Sequence, residues 1–297
     1  MKLHVVNHKD YFAKIGEDHK FPINKFAELA KYLLNKKIVK SFHEPYSCSY
    51  ETLKKAHSET YITQIKNKTL SKDGVRKIGF PLTESVVKRS LVATGGTVLA
   101  SKLAIKNGLA CNTAGGSHHA NFNEGAGYCV FNDVAVAAHY LLDRSLASKI
   151  LIIDLDVHQG NGNSDIFREN KNVFTFSMHS KSNYPAKKSI SDLDVELADN
   201  MEDEEYLKIL KFHLNQLNRE NFEYVFYIAG VDIHFNDRLG KLKISDEGIN
   251  QRDELVTENF FSKGIPLCGV LGGGYNKDFN KLVELHASLH QSCAKLL

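Results

Sequence analysis

The sequence predicts an α/β fold, with one mostly parallel β-sheet flanked by helices on both faces. Apolar runs short enough for strands recur along the chain and alternate with longer segments whose apolar residues follow helical spacing. The clearest of these runs, Ile150 to Ile153, is apolar at every position, as expected of a strand buried on both faces. No internal repeat and no proline-, glycine- or serine-rich linker divides the 297 residues, so residues 1–297 are read as a single domain.

In chain order, the first eighty residues hold helix candidates at Lys25–Leu34 and Glu51–Lys66 and are expected to cover one edge or rim of the sheet. Glu84–Lys106 reads as a helix, with Val86, Val87, Leu91, Val92 and Val98 at helical spacing. Leu109–Asn112 is a strand and Val134–Leu142 a helix. Ile150–Asp156 and Val173–Met178 are strands. The acidic stretch Asp192–Glu205 reads as a solvated loop running into a helix start. Asp203–Leu217 opens with acidic residues, which suit a helix N-terminus. Tyr224–Ala229 and Pro266–Leu271 complete the strands, and Asp246–Phe261 and Asp278–Leu296 the helices.

Composition excludes several classes. Net charge is only +3, without a long basic block, so nothing argues for nucleic-acid binding. No run is long and apolar enough to span a bilayer, so no membrane partner is expected. The segment Met1 to His8 lacks the apolar core of a signal peptide, which points to the cytoplasm. Five scattered cysteines (Cys48, Cys111, Cys129, Cys268, Cys293) without CxxC spacing fit free thiols in a reducing compartment, not a disulfide framework or a cysteine-bound zinc.

Each strand candidate after residue 108 runs into a polar, glycine-containing segment, and ligands of parallel sheets bind beyond the carboxyl ends of strands. After Ile150–Ile153 come Asp154, Asp156 and His158, metal-competent side chains at alternate positions and so on one side of an extended chain. Burying carboxylates is costly unless they are paired or bind a metal. A structural ion-pair cluster is the alternative. After Tyr224–Ile228 comes Asp232, able to supply a second carboxylate ligand. His234 follows and reads as a rim or packing histidine, because Asp156, His158 and Asp232 already make three protein ligands with one position open. Gly115 and Gly116 precede His118 and His119; adjacent imidazoles both face a cleft only on irregular backbone, which glycine permits. Taken alone, this pair also fits a surface loop. Gly272 to Gly274 allow a sharp turn that brings Tyr275 toward the strand ends, where a hydroxyl can donate to an oxygen gaining negative charge.

This combination, in this order and spacing, resembles the zinc-dependent histone deacetylase family. The match runs through Gly115–Ala120, Gly127–Asp133, Asp154–Gly162, Ser177–His179, Gly230–Gly240 and Gly272–Tyr275, with His19–Lys25 similar to the family's N-terminal segment. The wording Asp156-Val-His-Gln-Gly-Asn-Gly162 looks most like the class IV branch and its bacterial relatives. The resemblance implies the arginase–deacetylase type of fold, with Asp156, His158 and Asp232 as zinc ligands and His118 and His119 as the pair that handles protons. It implies that Asp154 orients His118 and, with Ser177, holds a structural monovalent cation such as potassium. Tyr275 would be the oxyanion donor, and Gly127 and Tyr128 would line a narrow substrate tunnel. Many family members carry an aspartate behind the second histidine where this chain has Asn161. The branch resembled here shares the asparagine, which should polarise His119 less.

The implied activity is removal of an acetyl or longer acyl group from a lysine side-chain amide by metal-activated water, on an acyl-lysine protein or a small acylated amine. Two carboxylates and one imidazole blunt the Lewis acidity of the metal relative to three histidines, so a nearby base such as His119 becomes valuable. Zinc and iron(II) both suit the ligand types. Acetylated polyamines and a catalytically dead acyl-lysine-binding protein are the alternatives. A binuclear manganese ureohydrolase of related fold would need an Asp-x-Asp pair near Asp232, which is missing.

Overall fold

The computed structural model describes residues 2–297. Its centre is a seven-stranded sheet in which every neighbouring pair runs parallel. The strands are β1 (His4–Val6), β2 (Leu109–Asn112), β3 (Ile150–Asp154), β4 (Val173–Ser180), β5 (Leu193–Leu197), β6 (Tyr224–Ile228) and β7 (Leu267–Val270). Their spatial order is β1-β2-β7-β6-β3-β4-β5. Four neighbours, β2, β7, β6 and β3, therefore end side by side, and the four motif-bearing segments that follow them emerge on one edge of the sheet.

The helices are α1 (Lys25–Asn35), α2 (Tyr50–Leu53), α3 (Glu59–Asn67), α4 (Lys72–Ile78), α5 (Glu84–Asn107), α6 (Asp133–Asp143), α7 (Asn161–Phe167), α8 (Asp203–Leu217), α9 (Asp246–Phe261) and α10 (Phe279–Lys295). One layer is built on α5 and α6, the other on the series α1, α10, α9 and α8. β6 shows why both faces need cover. The Tyr224 hydroxyl donates 3.1 Å to Ser101 O in α5, and the Tyr227 hydroxyl donates 2.5 Å to Asp253 Oδ1 in α9. Residues three apart on a strand point to opposite faces, so each helix layer receives one tyrosine. Every residue of β3 and β6 is buried, as the continuous apolar runs required.

Three expectations need correcting. The acidic stretch Asp192–Glu205 is not all loop. Leu193–Leu197 forms the edge strand β5, paired with Phe176–Ser180, and Asp194 and Glu196 keep that edge polar. The expected helix over Glu51–Lys66 is two helices. It breaks because Ser58 caps α3, its hydroxyl accepting from Tyr61 N at 3.3 Å. The first eighty residues give more than a helical rim: His4–Val6 adds the edge strand β1 against β2. Three residues are too few to show a period.

Candidate active site

The sheet brings His118, His119, Asp154, Asp156, His158, Asp232 and Tyr275 to one end. Seven of the expected residues, His118, His119, Gly127, Tyr128, Asp156, His158 and Tyr275, line one cavity of about 170 Å³. Asp232 lies behind the wall, fully buried.

Asp156 and His158 leave the end of β3, and Asp232 leaves the end of β6 beside it. His158 Nδ1 lies 3.0 Å from Asp156 Oδ1 and 3.1 Å from Asp232 Oδ2. The three donor atoms lie within 4.8 Å of one another. One imidazole nitrogen carries at most one proton and can satisfy only one of two carboxylates well, whereas a divalent cation satisfies all three donors. The set therefore fits a metal of the zinc type. The outer oxygens are held by backbone: Asp156 Oδ2 accepts from Gly273 N at 2.6 Å, and Asp232 Oδ1 from Val157 N at 3.0 Å. Gly273 must be glycine here, because a Cβ would lie 2.0 Å from Asp232 Oδ2. Burial, then the neighbouring Asp156 charge, raises the Asp232 carboxyl to about 7. Burial opposes charge on His158, but its bonds to Asp156 and Asp232 outweigh it and lift the imidazole to about 10.

The histidine pair stands on the turn after β2. Buried Asp133 fixes that turn by accepting from Ser117 N at 2.7 Å and Gly116 N at 3.1 Å. The two rings lie 4.1 Å apart, centre to centre, but their partners differ. His118 Nδ1 bonds Asp154 Oδ2 at 2.7 Å, and His119 Nδ1 donates to Asn161 Oδ1 at 2.7 Å. Burial works against a charged His118, yet Asp154 and Asp156 raise it to about 9. Burial first, then the charges of His118 and His158, holds His119 well below its ordinary value. Since Nδ1 of His119 donates to an amide oxygen, its proton-free Nε2 is the basic nitrogen.

Gly127 and Tyr128 form a tight bend at φ 53° and 66°. Gly127 passes so close to His119 that a Cβ would lie 2.5 Å from the ring. Tyr275 is buried, and its backbone N–H donates 2.6 Å to Asp237 Oδ2. Burial, then Asp232 and Asp156, raises its phenol well above the ordinary value, so it stays a donor. Ser177 pairs in register with Asp154 on the neighbouring strand, and its hydroxyl receives Gly160 N at 3.3 Å. His234 stands apart from the Asp156/His158/Asp232 cluster: Nε2 meets Asp246 Oδ1 and Nδ1 meets Asn276 Nδ2, both at 2.8 Å.

Sequence reasoning missed part of the wall. Tyr184 sets its ring edge against His119, with centroids 4.8 Å apart. Phe21, Phe26 and Arg89 line the cavity, and buried Lys25 donates 3.3 Å to Gly272 O beneath it. Helical spacing carried a signal for two of them. Lys25 shares a stripe with buried Leu29 and Leu33, and Arg89 one with buried Val86, Ala93 and Thr97.

Comparison with known proteins agrees with this geometry. The histone deacetylase domain profile matches residues 19–289. The chain is 43% identical over 291 residues to an uncharacterized protein of Picosynechococcus sp., covering 97% of each chain. It is 34% identical to histone deacetylase 2 of Arabidopsis thaliana, over 92% of this chain and 73% of that one. It is 24% identical to the acetoin utilization protein AcuC of Staphylococcus aureus, over 89% of this chain and 74% of the relative. A crystal structure of an HDAC homolog complexed with SAHA superposes with a TM-score of 0.84 at 24% identity, covering 99% of this chain and 84% of that one. These likenesses also bear out the expected fold of the arginase–deacetylase type. With the profile matching nearly the full length and a named deacetylase above the identity that shows kinship, this chain belongs to the histone deacetylase family, whose members are hydrolases that remove acetyl groups.

Proposed function

We propose that this chain, over residues 1–297, is a single catalytic domain of the class IV type that hydrolyses the side-chain amide of an acylated lysine, with zinc as its metal. The observation that carries this is one cavity shared by three different kinds of group: Asp156 and His158 of the ligand cluster, the His118/His119 pair, and Tyr275. Asp156, His158 and Asp232 would hold the ion. When bound, zinc supplies Lewis acidity, which polarises an amide carbonyl and makes a water more acidic.

The protein's own groups do the rest. His119, neutral and bonded through Nδ1 to Asn161, has a free Nε2 to take a proton from the attacking water. His118, kept charged by Asp154, has a proton to give the leaving amine. Tyr275 donates its hydroxyl hydrogen to the oxyanion. Gly127 and Tyr128 pack the walls around the lysine stem. The products are a carboxylate and a free amine. Asp154 and Ser177, paired across β3 and β4, would hold a monovalent cation such as potassium behind His118. The five free, buried cysteines suit a reducing cytoplasm; no helix among the described residues is long and apolar enough to cross a membrane.

The test is kcat/KM of the zinc-loaded protein on one lysine peptide carrying either an acetyl or a myristoyl group, with a chelated control. Chelator-sensitive turnover of either peptide supports the reading, and the ratio reports the depth of the acyl pocket. Inactivity on both moves the substrate to acetylated polyamines or other small amides, and inactivity there too to a non-catalytic acyl-lysine binder.

A further inference from the structure

The mouth of the cavity has two unlike lips. One is built from residues 181–188, 235–241 and 275–278, which supply Tyr184, Leu239 and Tyr275 to the cavity wall. Asn183 ties the first two segments together: its Nδ2 donates 2.7 Å to Leu239 O, and its Oδ1 accepts from Lys241 N at 3.2 Å. The third joins through Lys277 N, which donates 3.3 Å to Asn236 O, and through the bond from Tyr275 N to Asp237.

These segments hold six cations and two carboxylates, a net charge of +4, against +3 for the whole chain. Both carboxylates are turned into backbone. Asp237 is buried and accepts from Leu239 N, Gly240 N and Tyr275 N, and Asp278 caps α10. Three of the cations are engaged: Lys181 pairs with Glu196 at 3.7 Å, while Lys188 donates to Pro185 O and Lys241 to Ser182 Oγ, both at 2.9 Å. Lys187, Arg238 and Lys277 are exposed, and among the described residues their charged groups have neither an ion pair nor a hydrogen bond.

The opposite lip is balanced. Lys77, whose carbonyl receives Gly127 N at 3.0 Å, pairs with Glu124 at 2.6 Å. Lys14 and Lys20 are matched in number by Glu17 and Asp18 on the segment that leads to Phe21.

Apolar surface lies among the free cations. Tyr184 is 45% exposed, Phe235 60% and Leu239 38%. Three charges with apolar side chains between them suit a short peptide; a nucleic acid backbone calls for a longer basic track. An extended peptide advances about 3.3 Å per residue, so the nearest neighbours of a lysine seated in the cavity lie over the lips. We infer that the basic lip selects acyl-lysines whose neighbouring residues on one side are acidic. This rests on the deacylase reading and names its substrate class, an acidic peptide segment. Rim charges act through encounter and weak pairing, so the gain falls on KM and leaves kcat in place.

The experiment compares three acetyl-lysine peptides on the zinc-loaded protein at low salt: two glutamates on the N-terminal side, two on the C-terminal side, and glutamines at all four positions. One of the two acidic peptides should exceed the glutamine peptide about fivefold in kcat/KM, through KM, and the other should stay within about twofold of it. The triple variant Lys187→Gln, Arg238→Gln, Lys277→Gln should lose that preference while keeping its zinc and its kcat/KM on the glutamine peptide. Raising salt to about 0.5 M should flatten the preference in the wild type without any substitution. No acid preference in the wild type, an equal preference on both sides, or a preference that survives in the triple variant overturns the proposal.

Fluorescence anisotropy of the same labelled peptides separates this inference from the deacylase reading. Acid-selective binding that the triple variant loses, in a protein that hydrolyses none of the peptides, would sink the deacylase reading and leave the lip standing. Turnover indifferent to the flanking charges would do the reverse. Displacement of the acidic peptide by an equal concentration of single-stranded DNA would assign the lip to nucleic acid and overturn the proposal.

Discussion

Two walls of the cavity are built by different means. The acidic wall, Asp156 at its surface with Asp154 and Asp232 behind it and their histidine partners, is delivered by neighbouring strand ends held in register by the sheet. The basic wall, Arg89 at its surface with Lys25 beneath it, comes from α5 and α1, sixty-four positions apart in sequence, gathered around Phe21 and Phe26. Strand ends fix side chains through backbone pairing, and each carboxylate oxygen then meets a backbone N–H or an imidazole, with His158 Nδ1 shared between Asp156 and Asp232. The basic wall relies on ring packing, with one hydrogen bond from each cation to a backbone carbonyl. The acidic wall is thus set by strand register, and the basic wall by the packing of two helices around aromatic rings.

The sharpest way to break the acidic wall is Asp232→Ala, which removes one of the three proposed ligands and should abolish metal binding and turnover. Full zinc retention, measured by elemental analysis, would refute the ligand assignment. Next in size, Tyr275→Phe should keep fold and zinc but lower kcat by about 10²–10³, roughly 2.7–4 kcal/mol in the barrier. Near wild-type turnover would remove Tyr275 from the mechanism. On the basic wall, Lys25→Met should lower kcat about tenfold through loss of its bond to Gly272 O, with zinc content retained. An unchanged kcat would show that the turn carrying Tyr275 holds without it.

The smallest effect sharpens the contrast within the histidine pair. Asn161→Asp gives His119 a carboxylate partner like the one His118 has. An anion raises the pKa of an imidazole, and a base is lost as pH falls through its pKa, so the acid limb of kcat/KM should move up by about one pH unit. An acid limb that stays in place would mean that His119 is not the base it reports.

How much of this was legible in the sequence follows the same division. β3 was legible because four consecutive apolar residues, Ile150–Ile153, run into Asp154, Asp156 and His158, a local contradiction of polarity that only a site resolves. The glycines before His118 and Tyr275 marked bends by their chemistry. β5 was misread because its charged residues belong to an exposed edge, where polarity says nothing about pairing. Lys25 and Arg89 stand inside ordinary amphipathic helices, where a basic residue usually faces water. Their position on the buried stripe is visible only when the spacing is taken more seriously than the charge.

The strand order has a consequence for the growing chain. β7, the last of these seven strands in chain order, lies between β2 and β6 and is the link that joins β1 and β2 to the other four. Until residue 270 is delivered, the chain holds two sheet fragments: one carries the histidine pair, the other the carboxylates and His158. The two halves of the candidate site therefore come together only once β7 is in place between β2 and β6.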